Sequence, residues 1–192
     1  MTDTVARPNQ REHILDVALE LMSSRGADGM SMRQLAQACG VQVAAIYHYF
    51  DSKDALLAAV IDERRYSARL VDELPVEVSG TVEERLRQVF DVFWRGALDE
   101  HAILRLLLGE GIRGDVTALP MGTALLDTFR TGVAAWLRQA IPELDDHDGV
   151  ADVLVGQVLV GFFRWVFDPT ADPATIASES ADVLVRVVLP SR

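Results

Sequence analysis

The stretch SMRQLAQACGVQVAAIYHYFDSKDALL, residues 31–57, decides the fold. Ser31 can cap a helix, and Gln34, three residues on, can answer the backbone N–H of the cap. Met30 and Leu35 stand where a hydrophobic staple places its two apolar residues. This helix is predicted to last only to about Ala38, because Gly40 permits a tight turn. Val41 and Ile46 repeat the staple spacing at the start of a third short helix, Val43 to Tyr49. Asp51 and Ser52 offer caps for a fourth, whose apolar face is Leu56, Leu57, Val60 and Ile61. Two helices of about two turns joined by a short glycine-containing turn form the helix-turn-helix pattern.

Outward from this core the periodicity stays helical, with no strand or hairpin signal. Upstream, Ile14, Ala18, Leu21 and Met22 make one stripe of a helix from about Asn9 to Arg25, and Gly26 suits its end. Downstream, Pro75 and Ser79-Gly80 break the chain before a second capping box, Thr81-Val82-Glu83-Glu84. Leu86, Val89, Phe90, Phe93, Trp94 and Ala97 then share a face. A short helix from about Ile103 to Leu108 is expected to end at Gly109 and Gly111. A seventh begins near Pro120 and carries Leu125, Phe129, Val133, Trp136 and Leu137. Pro142 and the run Glu143 to Asp148 precede an eighth helix, Val150 to Phe167, and Asp172-Pro173 opens a ninth that Pro190 closes. The expected fold is therefore all-α, about nine helices: an N-terminal three-helix unit, residues 1–52, and a helical bundle, residues 53–192.

Apolar residues make up 49% of the 192, enough for a proper core. One cysteine, Cys39, excludes an intrachain disulfide and a cysteine-based metal cluster. Asp16 and Glu20 interrupt the only apolar stretch near the start, so no signal peptide is read. Asp152, Gln157 and Arg164 mark Val150–Phe167 as a buried helix of a cytoplasmic protein, with no membrane partner expected. The net charge of −11 argues against a nucleic-acid partner, yet its distribution weakens that objection. Residues 1–65 carry seven basic and nine acidic side chains, a net of −2, and the remaining −9 lies downstream. Contacts are decided by charges within about 8–10 Å at physiological salt.

The cap of residues 31–34, the Leu35-Ala36 pair, Gly40-Val41, the cluster Ile46-Tyr47-His48-Tyr49-Phe50 and the spaced Lys53 and Leu56 together resemble the DNA-binding domain of the TetR family. The resemblance covers roughly residues 9–60; the later helices match only in number, length and order. It implies a homodimer that binds a palindromic double-stranded operator, most often a repressor, released by a small molecule. The sequence departs from the pattern at Gln42, where Ser or Thr is usual, and the following Val43, Ala44 and Ala45 are small and apolar.

On this reading Lys53, the chain's only lysine, meets a phosphate beside the start of its helix. Tyr47 and Tyr49 bring hydroxyl donors to the backbone, with partial burial as the alternative for each, and His48 can donate to phosphate. Arg33 is the candidate for a guanine edge, against a surface ion pair. Gln42 can read adenine or hold a phosphate, and Val43, Ala44 and Ala45 can touch only thymine methyls. Ile46 and Phe50 are assigned to core. Arg7 and Arg11 lie in or near the N-terminal arm and can reach a minor groove, or simply be solvated.

In the bundle the resemblance implies an effector pocket, and Phe90, Phe93, Trp94, Leu107, Phe129, Trp136 and Phe162 are its candidates, with plain core as the competing reading. The ligand would be mainly apolar. Helix eight is apolar on nearly every face and needs a second partner. Val155, Val158, Leu159 and Phe162, with Val183 and Val187 of helix nine, are the expected dimer interface. The acidic run with His147 reads as solvated carboxylates, since a calcium loop's spacing is missing. No cofactor or metal is expected, and no enzyme: the four histidines lack the convergent carboxylates that a di-iron bundle requires. The rival is a helical module that regulates through protein contacts without DNA, supported by the acidic charge and the Val43-Ala44-Ala45 run.

Overall fold

Asn9 begins the first helix by accepting the N–H of Arg11 on its side chain at 3.2 Å. Helix α1 then runs Gln10–Arg25 and stops at Gly26, whose φ of 76° a side chain would resist. Ser31 and Gln34 close the anticipated capping box on α2, Met32–Cys39, with Met30 and Leu35 both buried beneath it. Gly40 takes the left-handed conformation, φ 68° and ψ 30°, and returns its N–H to Ala36 and Gln37. After it come α3, Val43–Tyr49, and α4, Lys53–Glu63, where Ser52 Oγ accepts the N–H of Ala55 at 3.0 Å. The computed structural model describes residues 9–63, 74–168 and 170–189, and among these lie nine helices and no strand. The reading of Arg7 falls outside the described residues.

The remaining helices are α5, Val82–Asp99; α6, His101–Arg113; α7, Ala118–Ala140; α8, His147–Phe167; and α9, Pro173–Val188. Two differ from expectation. Helix α6 runs through Gly109 and Gly111 and ends only at Gly114, which has φ 77°. An interior glycine costs about 1 kcal/mol against alanine. Burial of Ile103, Leu104, Leu106 and Leu107 offsets it, at about 1.5–3 kcal/mol for each fully buried aliphatic side chain. Helix α8 starts three residues early because Asp146 accepts the N–H of Gly149 at 2.9 Å and serves as its cap.

Packing groups the helices into two units: Met1–Arg65 with His101–Thr123, and Tyr66–Glu100 with Ala124–Arg192. In the first, α1 lies against α2, α4 and α6, and α2 against α3. Ile14, Leu15, Ala18 and Met22 form the buried stripe of α1. In the second, α5, α8 and α9 pack on one another. An edge-to-face pair, Phe93 on Phe129 at 5.2 Å, joins α5 to α7. These units follow contact, whereas the expected cut between 52 and 53 is one of role.

Candidate nucleic-acid interface

Each of α2 and α3 buries one stripe and turns the other to solvent. Met32, Leu35 and Ala36 of α2 and Ile46 of α3 are buried, as is Phe50 just beyond. With these as anchors, Arg33, Gln42, Ala44, Tyr47 and His48 stand exposed, Tyr47 at 49%. Val43, Ala45, Tyr49 and Lys53 are half-buried at the edge of the same surface. The nine candidates therefore fall on one unit. Arg33 makes no ion pair among the described residues, which leaves all its donors available. Gln42 occupies the cap position of α3 without a side-chain cap bond, so its amide is likewise unspent. Tyr49 is held: its hydroxyl donates to Gln10 Oε1 at 3.4 Å and its ring meets His48 edge-on at 5.1 Å.

Two cations are engaged by partners that sequence reading did not find. Lys53 Nζ lies 3.1 Å from Asp28 Oδ1, in the turn between α1 and α2. Arg11 binds both oxygens of Glu63 at 2.5 Å and lies over the Phe50 ring, 5.2 Å from its centre. That Glu63 hydrogen bond, opposed by partial desolvation, holds the Arg11 guanidinium above its ordinary pKa. Arg11 therefore joins α1 to α4 and is no loose arm. A third missed residue is Glu110, only 3% exposed, which accepts the N–H of Ala27 at 2.6 Å. Its sequence signal was nil, since the partner lies 83 positions away.

Of the effector candidates, all seven are buried. Phe90 and Trp94 also border an open groove of about 580 Å³ between α5 and α9, whose rim includes Arg87, Arg95, Ala177 and Ser178. Both arginines are paired, Arg87 to Glu83 and Asp182, Arg95 to Asp91. Phe93 and Phe129 are spent on each other, and Phe162 tilts against Trp165 at 5.8 Å. Leu107 belongs to the first unit.

The dimer candidates divide by exposure. Val155, Val158 and Phe162 are buried inside their own unit, Leu159 and Val183 are half-buried, and Val187 is exposed. The outward apolar positions of α8 are Val160, Phe163 and Phe167, the last 82% exposed with its ring stacked on Phe163. A shallow recess beside Val160 and Val183 is edged by Gln157, Arg164, Glu179 and Arg186.

The acidic run is structural. Glu143 pairs with Arg85 at 2.7 Å, Asp146 caps α8, and Asp148 pairs with Arg138 at 2.7 Å. Among the described residues no group of three or more His, Cys, Asp or Glu is placed to hold a metal ion. Helix α8 alone among them is long and apolar enough to cross a membrane. Its charged residues have protein partners, Asp152 with Arg130 and Arg164 with Glu179.

Residues 14–60 match the family described as bacterial regulatory proteins, tetR family. An HTH-type transcriptional regulator of the dhlA 5′ region of Xanthobacter autotrophicus is 33% identical over 103 residues, 53% of this chain and 44% of that one. The HTH-type transcriptional regulator UidR of Escherichia coli K12 is 30% identical over 117 residues, 60% of this chain and 58% of its own. The chain thus spans about half the length of the curated relatives it matches. The transcriptional regulator FadR from Bacillus subtilis, solved in complex with stearoyl-CoA, superposes with a TM-score of 0.71 at 17% identity, over 94% of this chain and 99% of that one.

Proposed function

We propose that the chain, whose residues 14–60 match the tetR family of bacterial regulatory proteins, is a helix-turn-helix transcription regulator of that family and represses transcription from a palindromic operator until a small, mainly apolar effector binds. The observation that carries the DNA half of this reading is the polar surface of α2 and α3, with Arg33, Gln42, Tyr47 and His48 exposed over buried Ile46 and Phe50. Residues 1–52 read the DNA, and residues 53–192 dimerise and take the effector. Lys53, Tyr47, Tyr49 and His48 serve the phosphate backbone. Arg33 and Gln42 read base edges, and Val43, Ala44 and Ala45 rest on thymine methyls. Sequence preference then comes from few hydrogen bonds together with DNA shape.

Dimerisation uses α8 and α9 of two copies, where Val160, Phe163 and Val187 are exposed, Val183 is half-buried beside them and the rim charges sit around them. Leu159 completes the contact, while Val155, Val158 and Phe162 support it from beneath. A two-fold pair predicts half-sites about 34–36 Å apart or a multiple. The effector enters the second unit near Phe90 and Trp94, parting the Phe93–Phe129 and Phe162 contacts. The stearoyl-CoA carried by a fold neighbour favours an acyl chain over a polar ligand. The protein works in the cytoplasm.

A genome-wide footprint with the purified protein, followed by gel shift on the recovered fragments across a salt series, tests the DNA reading. A log–log slope of about −0.9 per neutralised phosphate is expected. A flat salt response would overturn it and leave the protein-contact module in its place. Stearoyl-CoA raising Tm and releasing the fragment tests the effector half.

A further inference from the structure

Glu110 is the one charged side chain buried among the described residues, and it stands in the last turn of α6. Its carboxylate has two protein partners. Oε1 accepts the main-chain N–H of Ala27 at 2.6 Å, and Oε2 accepts Arg113 Nε at 3.2 Å, with Arg113 Nη2 also on Oε1. A buried carboxylate without such partners would be strongly penalised. Ala27 is the first residue after Gly26, which ends α1, and Gly26 lies directly beneath the Arg113 guanidinium: a Cβ there would sit 2.9 Å from Nη2. The turn so gripped carries Asp28, the partner of Lys53, then buried Met30 and the Ser31 cap of α2. The Glu110 hydrogen bond, opposed by partial desolvation and joined by the charges of Glu110, Asp28 and Asp115, holds the Arg113 guanidinium above its ordinary pKa.

We propose that Glu110, braced by Arg113, is a positioning residue for DNA binding: it latches the main chain of the α1–α2 turn to α6 and so fixes where α2 and α3 stand. The proposal rests on the DNA-binding reading for its consequence but not for its mechanism. Helix α6 is inserted in sequence between α5 and α7, so the latch ties the reading helices to a distant stretch of the chain. Glu110→Ala removes the acceptor, Glu110→Gln keeps an acceptor for Ala27 but loses the charge, and Arg113→Ala removes only the brace.

Residue-resolved amide exchange on the full-length protein tests this without any DNA. In Glu110→Ala the Ala27 amide and those of α2 and α3 are expected to exchange about 10- to 100-fold faster, with α8 and α9 unchanged. Glu110→Gln and Arg113→Ala should fall between this variant and the original chain, and they carry the test if Glu110→Ala fails to fold. A faster Ala27 amide with α2 and α3 untouched overturns the proposal, because the bond would then hold only its own turn. An equal loss of protection in α8 and α9 overturns it too, because Glu110 would then serve global stability. On a genomic fragment bound by the unaltered protein, Glu110→Ala should weaken binding about tenfold with the salt slope unchanged, since no phosphate contact is removed. A changed slope would count against positioning. If the unaltered protein binds no DNA, the functional reading fails while the exchange result still decides the latch.

Discussion

Lys53 and Asp28 share one hydrogen bond at the edge of the surface proposed to meet DNA, so on that proposal an arriving phosphate competes with a carboxylate for the ammonium. Exposed pairs of this kind contribute about 0–1 kcal/mol, and the displaced charge then repels the duplex. Asp28→Asn is therefore expected to tighten binding to a given fragment roughly threefold to tenfold at low salt, an effect that fades as salt screens it. Gel shift checks this, and weaker binding by the variant would show that Asp28 presents the lysine instead of competing for it. Lys53→Ala should loosen all sequences alike and reduce the salt slope by about 0.9, whereas Arg33→Ala should change which sequences are preferred. The candidates Arg33, Gln42, Tyr47 and Lys53 could be picked out from the sequence because their signal is local. Asp28, Glu63 and Glu110 could not, because each meets its partner across a tertiary contact that no short window contains.

At the scale of elements, the caps were written most plainly. Thr81 and Glu84 close the box anticipated for α5, and Asp172 accepts the N–H groups of Ala174 and Thr175 ahead of Pro173 in α9. Thr81→Ala is expected to cost about 1 kcal/mol, read from urea unfolding. Both carboxylates are held below their ordinary pKa, Glu84 by the backbone and side-chain hydrogen bonds from Thr81, Asp172 by the Thr175 hydroxyl and then the backbone. The fold thus favours their charged forms. Their contribution is complete above the unfolded value, near about 4, and is lost as pH falls through the lower folded value. Amide protection in the first turns of α5 and α9 should accordingly decline below about pH 4, and protection unchanged to pH 2 would contradict it. What the sequence hid at this scale was phase. Helix α8 is apolar all round, so periodicity did not tell Val155 and Val158, which face inward, from Val160 and Phe163, which face out. Gly109 and Gly111 misled in the opposite way, reading as stops where packing carries α6 onward. Gly161 is a true close approach: a Cβ would lie 3.0 Å from Trp94 and 3.1 Å from Ile176. Gly161→Ala should lower stability by about 1–3 kcal/mol through overpacking, despite the better helix former, and an unchanged Tm would show that α8 and α9 can part freely.

For the whole molecule, Val160→Asp with Phe163→Asp places charge on the exposed face of α8 while leaving its buried face intact. Sedimentation should show monomers, and binding to a two-half-site fragment should fall by far more than binding to one half-site. A variant that stays dimeric would move the interface elsewhere. The division of the chain into units carries one more consequence, for the order in which the protein is made. Helix α1 packs on α6 as well as on α2 and α4, yet α6 ends at Arg113, 50 residues after the last residue of α4. At about 5–20 residues per second, a ribosome that has released α4 needs several more seconds before the covering helix follows. Over that interval the nascent head carries bare apolar surface and invites chaperones.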